Sequence, residues 1–405
     1  MEVNSQKRAA DVMGKRMVAI VMLLAIIGSA LVFKRGIEVS SSARGSLNVQ
    51  TPPPVVPDFV SVNQSRGLDG PALDALRTYF DSQKLPYTVV HQGTLDMTGA
   101  TRQGAVVRSA PVGAGFPMSS LAVDATAIAA TMGDEVAMVA GAGRIVMGAT
   151  AAAQNAIVPG DMVTLMGWNG VAATFEVGAV EPDPVVAGVE IVMSVESAVP
   201  LGFVRPFSIR VWGFDTRESA QALLKAIQAT WIQRRIRVRT SWQDALLDDT
   251  VPQAHIKALL GDFWAVRGGG GTLQIDPAWK TAHITRVNLP LVGPLRCNTV
   301  VAAAAAQALQ ELQDSAMSAL IHSADTRSRG GCFSTRETRS PSGNSGHNLS
   351  RHTWGAAIDI NPSQNPYGGV SRMDSRVIDA FRRHGFVWGG SFIVPDPMHF
   401  EYVGV

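Results

Sequence analysis

The stretch SRHTWGAAIDINPS, residues 350–363, constrains the fold more than any other part of the chain. His352 and Asp359 stand seven residues apart with Gly355 between them. Along one continuous helix that offset separates two side chains by roughly 10 Å. Along one strand, an odd offset points them to opposite faces. If the two polar groups are to meet, the chain must bend, and Gly355 permits a bend because it lacks a Cβ. AAIDI then becomes a short strand, with Ile358 and Ile360 packed on one face and Asp359 on the other. Alone, the pair is a surface histidine ahead of an ordinary strand, or two ligands of a metal.

The closing residues PDPMHFEY change what the pair can mean. Met398, Phe400 and Tyr402 alternate with His399 and Glu401, as in a strand with one apolar and one polar face. Pro395 and Pro397 keep Asp396 in a loop ahead of that strand. His399 can then join His352 and Asp359, giving two histidines and a carboxylate. Zinc with three protein ligands keeps a fourth position for water, which marks a catalytic rather than a structural site. Zinc brings that water's pKa to about 7 and polarises a bound carbonyl. A carboxylate must also take the water's proton and pass it to the leaving amine, and Asp396 and Glu401 are both candidates. Glu401 shares the polar face with His399 and can also accept from its imidazole.

The N-terminus indicates the compartment. A leader (1–16) carrying Lys7, Arg8, Lys15 and Arg16 precedes an uncharged apolar run, MVAIVMLLAIIGSALVF, from Met17 to Phe33. In a helix this run covers roughly 25 Å, near the lower limit for a membrane span. Gly28-Ser29-Ala30 would suit a cleaved signal peptide, but the apolar run continues through Phe33, which favours an uncleaved transmembrane anchor. The basic leader favours a cytoplasmic N-terminus, so everything after the run is expected to be extracytoplasmic. There the two cysteines, Cys297 and Cys332, are expected to pair. The bridge closes a loop of roughly 36 residues and contributes on the order of 3–4 kcal/mol in the chain-entropy account. Two cysteines are too few for a structural zinc site.

A Ser/Pro-rich segment, residues 34–63, reads as an extended spacer. Residues 64–266 read as an α+β region. GPALDALRTYFDSQKL has helical periodicity through Leu73, Leu76, Tyr79 and Phe80, and PYTVVHQG follows as a strand. Short strands follow from about 100 to 205, with Pro159-Gly160-Asp161 opening one and Asn169-Gly170 signalling a hairpin. FSIRVWGF, TRESAQALLKAIQATWIQ and RIRVRTSW make a β-α-β unit. In its last strand Arg235, Arg237 and Arg239 share a face, either solvated or touching an anionic envelope polymer. The net charge of +2 gives no broad footprint for nucleic acid. The run RGGGG, residues 267–271, reads as a flexible joint before a last domain at 272–405. That domain contains one strong helix, NTVVAAAAAQALQELQDSAMSALI.

SRHTWGAAIDIN, followed by GFVWGG and DPMHFE, resembles the zinc D-alanyl-D-alanine carboxypeptidase family. That family includes the vancomycin-resistance dipeptidases and carboxypeptidases and the L-alanyl-D-glutamate endopeptidases of phage endolysins. Its pattern, S-x-H-x-x-G-x-A-x-D and then an acid three residues before a histidine, falls on Ser350, His352, Gly355, Ala357, Asp359, Asp396 and His399. The resemblance implies Zn2+ on His352, Asp359 and His399, with Asp396 as general base and acid. It leaves Glu401 and Ser350 as outer supports of the ligand set. It also implies that an arginine of GGCFSTRETR binds substrate: Arg336, with Arg339 the lesser candidate. The phrase PGDMVTL in the middle region resembles extracytoplasmic domains of macrolide-exporter-type ABC permeases.

The expected architecture is α+β, with a small antiparallel sheet flanked by helices in the last domain and zinc at the sheet edge. The expected function is a membrane-anchored, extracytoplasmic zinc metallopeptidase cutting peptidoglycan stem peptides. Its partners would be those peptides, the membrane and an envelope protein met by the middle region. The alternative is a non-catalytic envelope scaffold that only binds wall peptide.

Overall fold

The computed structural model describes residues 58–64, 68–203, 206–231, 236–241, 251–268, 272–338, 348–392 and 395–404. The leader, the apolar run and most of the spacer lie outside these residues. Among the described residues no helix is long and apolar enough to cross a membrane. All of them belong to the unit Pro54–Val405, which is mixed α+β.

The middle region contains strands β1 (Val60–Gln64), β2 (Tyr87–Arg102), β3 (Ala105–Ser109), β4 (Phe116–Val123), β5 (Ile145–Gly148), β6 (Met162–Met166), β7 (Ala172–Glu181), β8 (Ile191–Ser194), β9 (Ser208–Val211) and β10 (Ile236–Thr240). Six of them close into a barrel in the order β2-β4-β8-β5-β7-β6, because the long β2 pairs with both β4 and β6. Closure removes free strand edges. Leu95, Met97, Met118, Met147, Val163, Leu165 and Val177 share one buried cluster there. The β6–β7 hairpin forms where the Asn169-Gly170 signal placed it, with Gly170 at φ 79°.

Beyond the barrel, β2 continues into β9, then β1, then β10. The expected helix spans Gly70–Ser82 and buries Leu73, Leu76 and Phe80 against Val60, Val62, Ile209 and Val211. The helix Arg217–Trp231 adds Ala220, Leu223 and Ile227 to the same cluster. β9 and β10 are not neighbours: β1 lies between them, antiparallel to both. Val60–Gln64 is therefore part of the sheet and not of the spacer, because its alternating valines find a core to cover.

In the C-terminal part β11 (Ala265–Arg267) pairs with β12 (Leu273–Ile275), and β13 (Ile284–Leu289) with β14 (Gly293–Asn298). β15 (Ala357–Asp359), β16 (Phe386–Trp388) and β17 (His399–Tyr402) form an antiparallel sheet with β17 in the centre. The helices Thr299–Asp314 and Ser375–Arg383 pack into the same core through Ala305, Ala308, Leu309, Val377 and Phe381. The small helix-flanked sheet matches the expected architecture. The core also recruits Ile256, Leu260, Phe263 and Ala265, upstream of the glycine run. The described residues on either side of that run, in β11 and β12, pair with each other and share this core, while the last three residues of the run lie outside the described residues.

Candidate metal centre

His352 lies in a short 3₁₀ turn, Arg351–Trp354, which Gly355 ends in the left-handed region at φ 62°. A Cβ on Gly355 would stand 2.6 Å from the Asn298 nitrogen, so only glycine fits this close approach. The chain then runs into β15, where Ile358 is buried in the core and Asp359 points the other way. Across the sheet Asp359 pairs in register with His399, the first residue of β17. The bend, the strand and the third residue thus come together as their spacing required.

Three donor atoms, one each from His352, Asp359 and His399, lie within 4.8 Å of one another, and the group can hold a metal ion. His352 Nδ1 donates to the Cys332 carbonyl at 2.8 Å, which turns Nε2 towards Asp359 Oδ1 at 3.2 Å. His399 presents Nδ1 to the same Oδ1 at 2.9 Å, and its Nε2 donates to Glu401 Oε1 at 3.2 Å. Each imidazole therefore has one nitrogen committed to an outer acceptor and the other aimed at the common centre, the arrangement of metal-bound histidines.

The electrostatics suit a cation. Burial alone would raise the Asp359 carboxyl, but His352 and His399 outweigh it and hold the group well below the usual carboxylate range. Burial would lower His399, yet Asp359 and Glu401 together push it up to about 10. Glu401 is buried too, and His399 and Arg351 hold it below its ordinary value despite that burial. Arg351 Nε lies 3.6 Å from Glu401 Oε2.

Asp396 sits in the loop ahead of β17, and its N–H donates to the Gly389 carbonyl at 2.8 Å. Its Oδ1 is buried without a hydrogen-bond partner among the described residues. Burial, reinforced by Asp359, raises its pKa above the ordinary value, while His399, His352 and Arg336 pull the other way. Asp396 and Glu401 thus stand differently: Glu401 Oε1 meets His399 Nε2, whereas Asp396 Oδ1 has no hydrogen-bond partner among the described residues.

Arg336 belongs to an extended segment bridged to Thr272 on one side, while its carbonyl accepts from Ser350 N at 3.1 Å. Ser350 enters here through its main chain. Arg339 and His347 lie outside the described residues. Cys297 and Cys332 form the expected disulfide. His283 stacks on Trp279, and His384 contacts Glu311 at 3.0 Å, so both have roles away from the centre.

Several supports could not be found from motif spacing. The Cys332 carbonyl that orients His352 is a main-chain group with no signature in residue type. Thr353, fully buried, links the ligand turn to the Arg336 segment by donating to the Arg336 carbonyl at 3.0 Å. Its place beside His352 was the one available signal.

The solved periplasmic region of MacB from Actinobacillus actinomycetemcomitans is similar at 11% identity, covering 45% of this chain and 87% of that one, with a TM-score of 0.28. A search of curated proteins returned no match. Residues 343–402, which contain all three candidate ligands and Asp396, match the family model described as D-alanyl-D-alanine carboxypeptidase, as the motifs around His352 and His399 suggested.

Proposed function

We propose that this chain is a zinc peptidase of the cell envelope that hydrolyses peptide bonds in peptidoglycan stem peptides. The observation that carries the proposal is the convergence of His352, Asp359 and His399 beside the buried, unpaired oxygen of Asp396. Two imidazoles and one carboxylate, with the outer nitrogens already engaged, fit zinc with an open fourth position. Zinc at such a site supplies Lewis acidity, which acidifies a water and polarises a carbonyl.

The chain's own residues do the rest. Asp396, raised by burial, takes the proton from the attacking water and delivers it to the leaving amine. Arg336, whose charge reaches Asp396, holds a substrate carboxylate or the developing oxyanion. Glu401 and the Cys332 carbonyl keep the two imidazoles oriented throughout. The bond cut is a D,D-carboxypeptidase or L-alanyl-D-glutamate type of amide, and the DPMHFE ending resembles the endopeptidase branch. Residues 17–33 anchor the chain, its folded part faces outward, and the middle region meets an envelope partner.

The alternative is a scaffold that binds wall peptide without cutting it, and such a module has no use for a buried carboxyl with one oxygen, Asp396 Oδ1, left without a partner near a cation site. Purified muropeptides digested with the detergent-solubilised full chain and its Asp396→Ala variant, read by mass spectrometry, test the proposal. Cleavage by the wild type alone supports it, and the fragment masses identify the bond. Identical behaviour of the two proteins, or less than about one zinc per chain by elemental analysis, rejects it.

A further inference from the structure

The turn that carries His352 is gripped from two sides, and one covalent bond joins the grips. On the first side the Cys332 carbonyl accepts from His352 Nδ1 at 2.8 Å, and Ser334 N donates to the His352 carbonyl at 3.0 Å. On the second, Asn298 Nδ2 donates to the Trp354 carbonyl at 3.3 Å and Asn298 N to the Gly355 carbonyl at 3.4 Å. Asn298 directly follows Cys297, whose disulfide to Cys332 ties the two grips at a Cα–Cα distance of 4.9 Å. The tethered segment reaches a second ligand as well, because Asp359 N donates to the Gly331 carbonyl at 3.3 Å. The sulfur bridge holds the Cα to which the Cys332 carbonyl is bonded, and planarity sets that carbonyl antiparallel to Phe333 N–H, which donates to the Arg296 carbonyl at 3.0 Å.

We propose that the Cys297–Cys332 disulfide positions the metal centre, so that the oxidised chain binds a divalent cation more tightly than the reduced chain. This rests on the metal-binding part of the function proposed above and not on the peptidase part. Losing an outer partner of a metal-bound histidine costs about 10–100-fold in affinity. The bond from Phe333 N to the Arg296 carbonyl, at 3.0 Å, is a tether that does not run through the sulfur bridge, so the lower end, about tenfold, is expected. Coupling between two equilibria is reciprocal. A tenfold preference corresponds to about 30 mV in a two-electron couple, so bound zinc makes the disulfide's reduction potential more negative by that amount. The cation site then matures where the disulfide forms, and a chain still in a reducing compartment loads metal poorly.

The zinc dissociation constant of the full chain is measured by competition with a chromophoric chelator, before and after treatment with a phosphine. The phosphine delivers two electrons to the S–S bond and takes its oxygen from water, whose two protons leave the sulfurs as thiols. About tenfold weaker binding is expected in the reduced chain and in Cys297→Ala/Cys332→Ala, with circular dichroism showing both still folded. Equal affinities, or weakening only when the fold is lost, overturn the proposal. The second measurement uses the native chain with and without zinc in glutathione buffers, with disulfide content read by thiol alkylation. A shift of about 30 mV to more negative potential supports the proposal, and it must vanish in His352→Ala. No shift overturns it, as does a less negative potential, which would mean that zinc binds the free thiols. Absence of zinc from the oxidised wild type would instead reject the metal reading itself.

Discussion

Asp359 and His399 face each other across the β15–β17 register, and Oδ1 of one stands 2.9 Å from Nδ1 of the other. The same oxygen lies 3.2 Å from His352 Nε2, so one carboxylate atom organises both imidazoles. Asp359→Asn replaces the charged oxygen with a neutral amide of the same shape. Zinc content, by elemental analysis after gel filtration, is expected to fall from about one equivalent to below about a tenth. Full retention of zinc would remove Asp359 from the ligand set.

Glu401 acts through His399. Glu401→Gln keeps the size but removes the charge that the imidazole N–H meets at 3.2 Å. Zinc affinity is expected to weaken by about 10–100-fold while the zinc-loaded variant still cuts muropeptides. Chelator competition at fixed pH measures the first part, and an unchanged affinity would show that Glu401 serves only Arg351.

Lys257 is fully buried between Glu190 Oε1 at 2.8 Å and Asp262 Oδ1 at 3.3 Å. Burial alone would depress its ammonium, but Asp262 and Glu190 outweigh it and hold the group above its ordinary value. Asp262 keeps Arg108 at 2.8 Å, whereas Glu190 keeps only the uncharged donors Ser119 and Gln253. Lys257→Ala therefore leaves Glu190 buried without a counter-ion and is expected to destabilise the fold by about 3–5 kcal/mol in urea unfolding. Lys257→Met combined with Glu190→Gln should cost clearly less than the two single changes added together. Simple additivity would mean that the two groups do not act as a pair.

Asp374 caps the helix Ser375–Arg383 by accepting from Arg376 N at 2.9 Å. The Arg376 side chain and main chain together lower its carboxyl to about 2 from 3.8. A carboxyl depressed in the folded state stabilises above its unfolded value, near 4, and that contribution disappears as the pH falls towards about 2. Thermal melts between pH 5 and about 2 should therefore show a shallower acid loss for Asp374→Asn than for the wild type. Parallel curves would remove this group from the acid transition.

What could be read along the chain is what short windows encode. The helix at Gly70–Ser82 follows from the spacing of Leu73, Leu76 and Phe80, the β6–β7 hairpin from Asn169-Gly170, and the bend before β15 from Gly355. His352, Asp359 and His399 were identifiable because ligand chemistry restricts residue type, and two short motifs place all three. Closure of the barrel by β2 with β6, the reach of the C-terminal core back to Ile256, and the pairing of Val60–Gln64 were not legible. Each depends on which apolar faces meet across long sequence separations, and periodicity names a face without naming its partner. The Cys332 carbonyl shows the limit most clearly, since every residue has a carbonyl and only packing decides which one orients His352. The sequence determined which atoms could hold a metal, and the tertiary structure decided how they are held, with Glu401 Oε1 against His399 and Asp396 Oδ1 buried without a partner among the described residues.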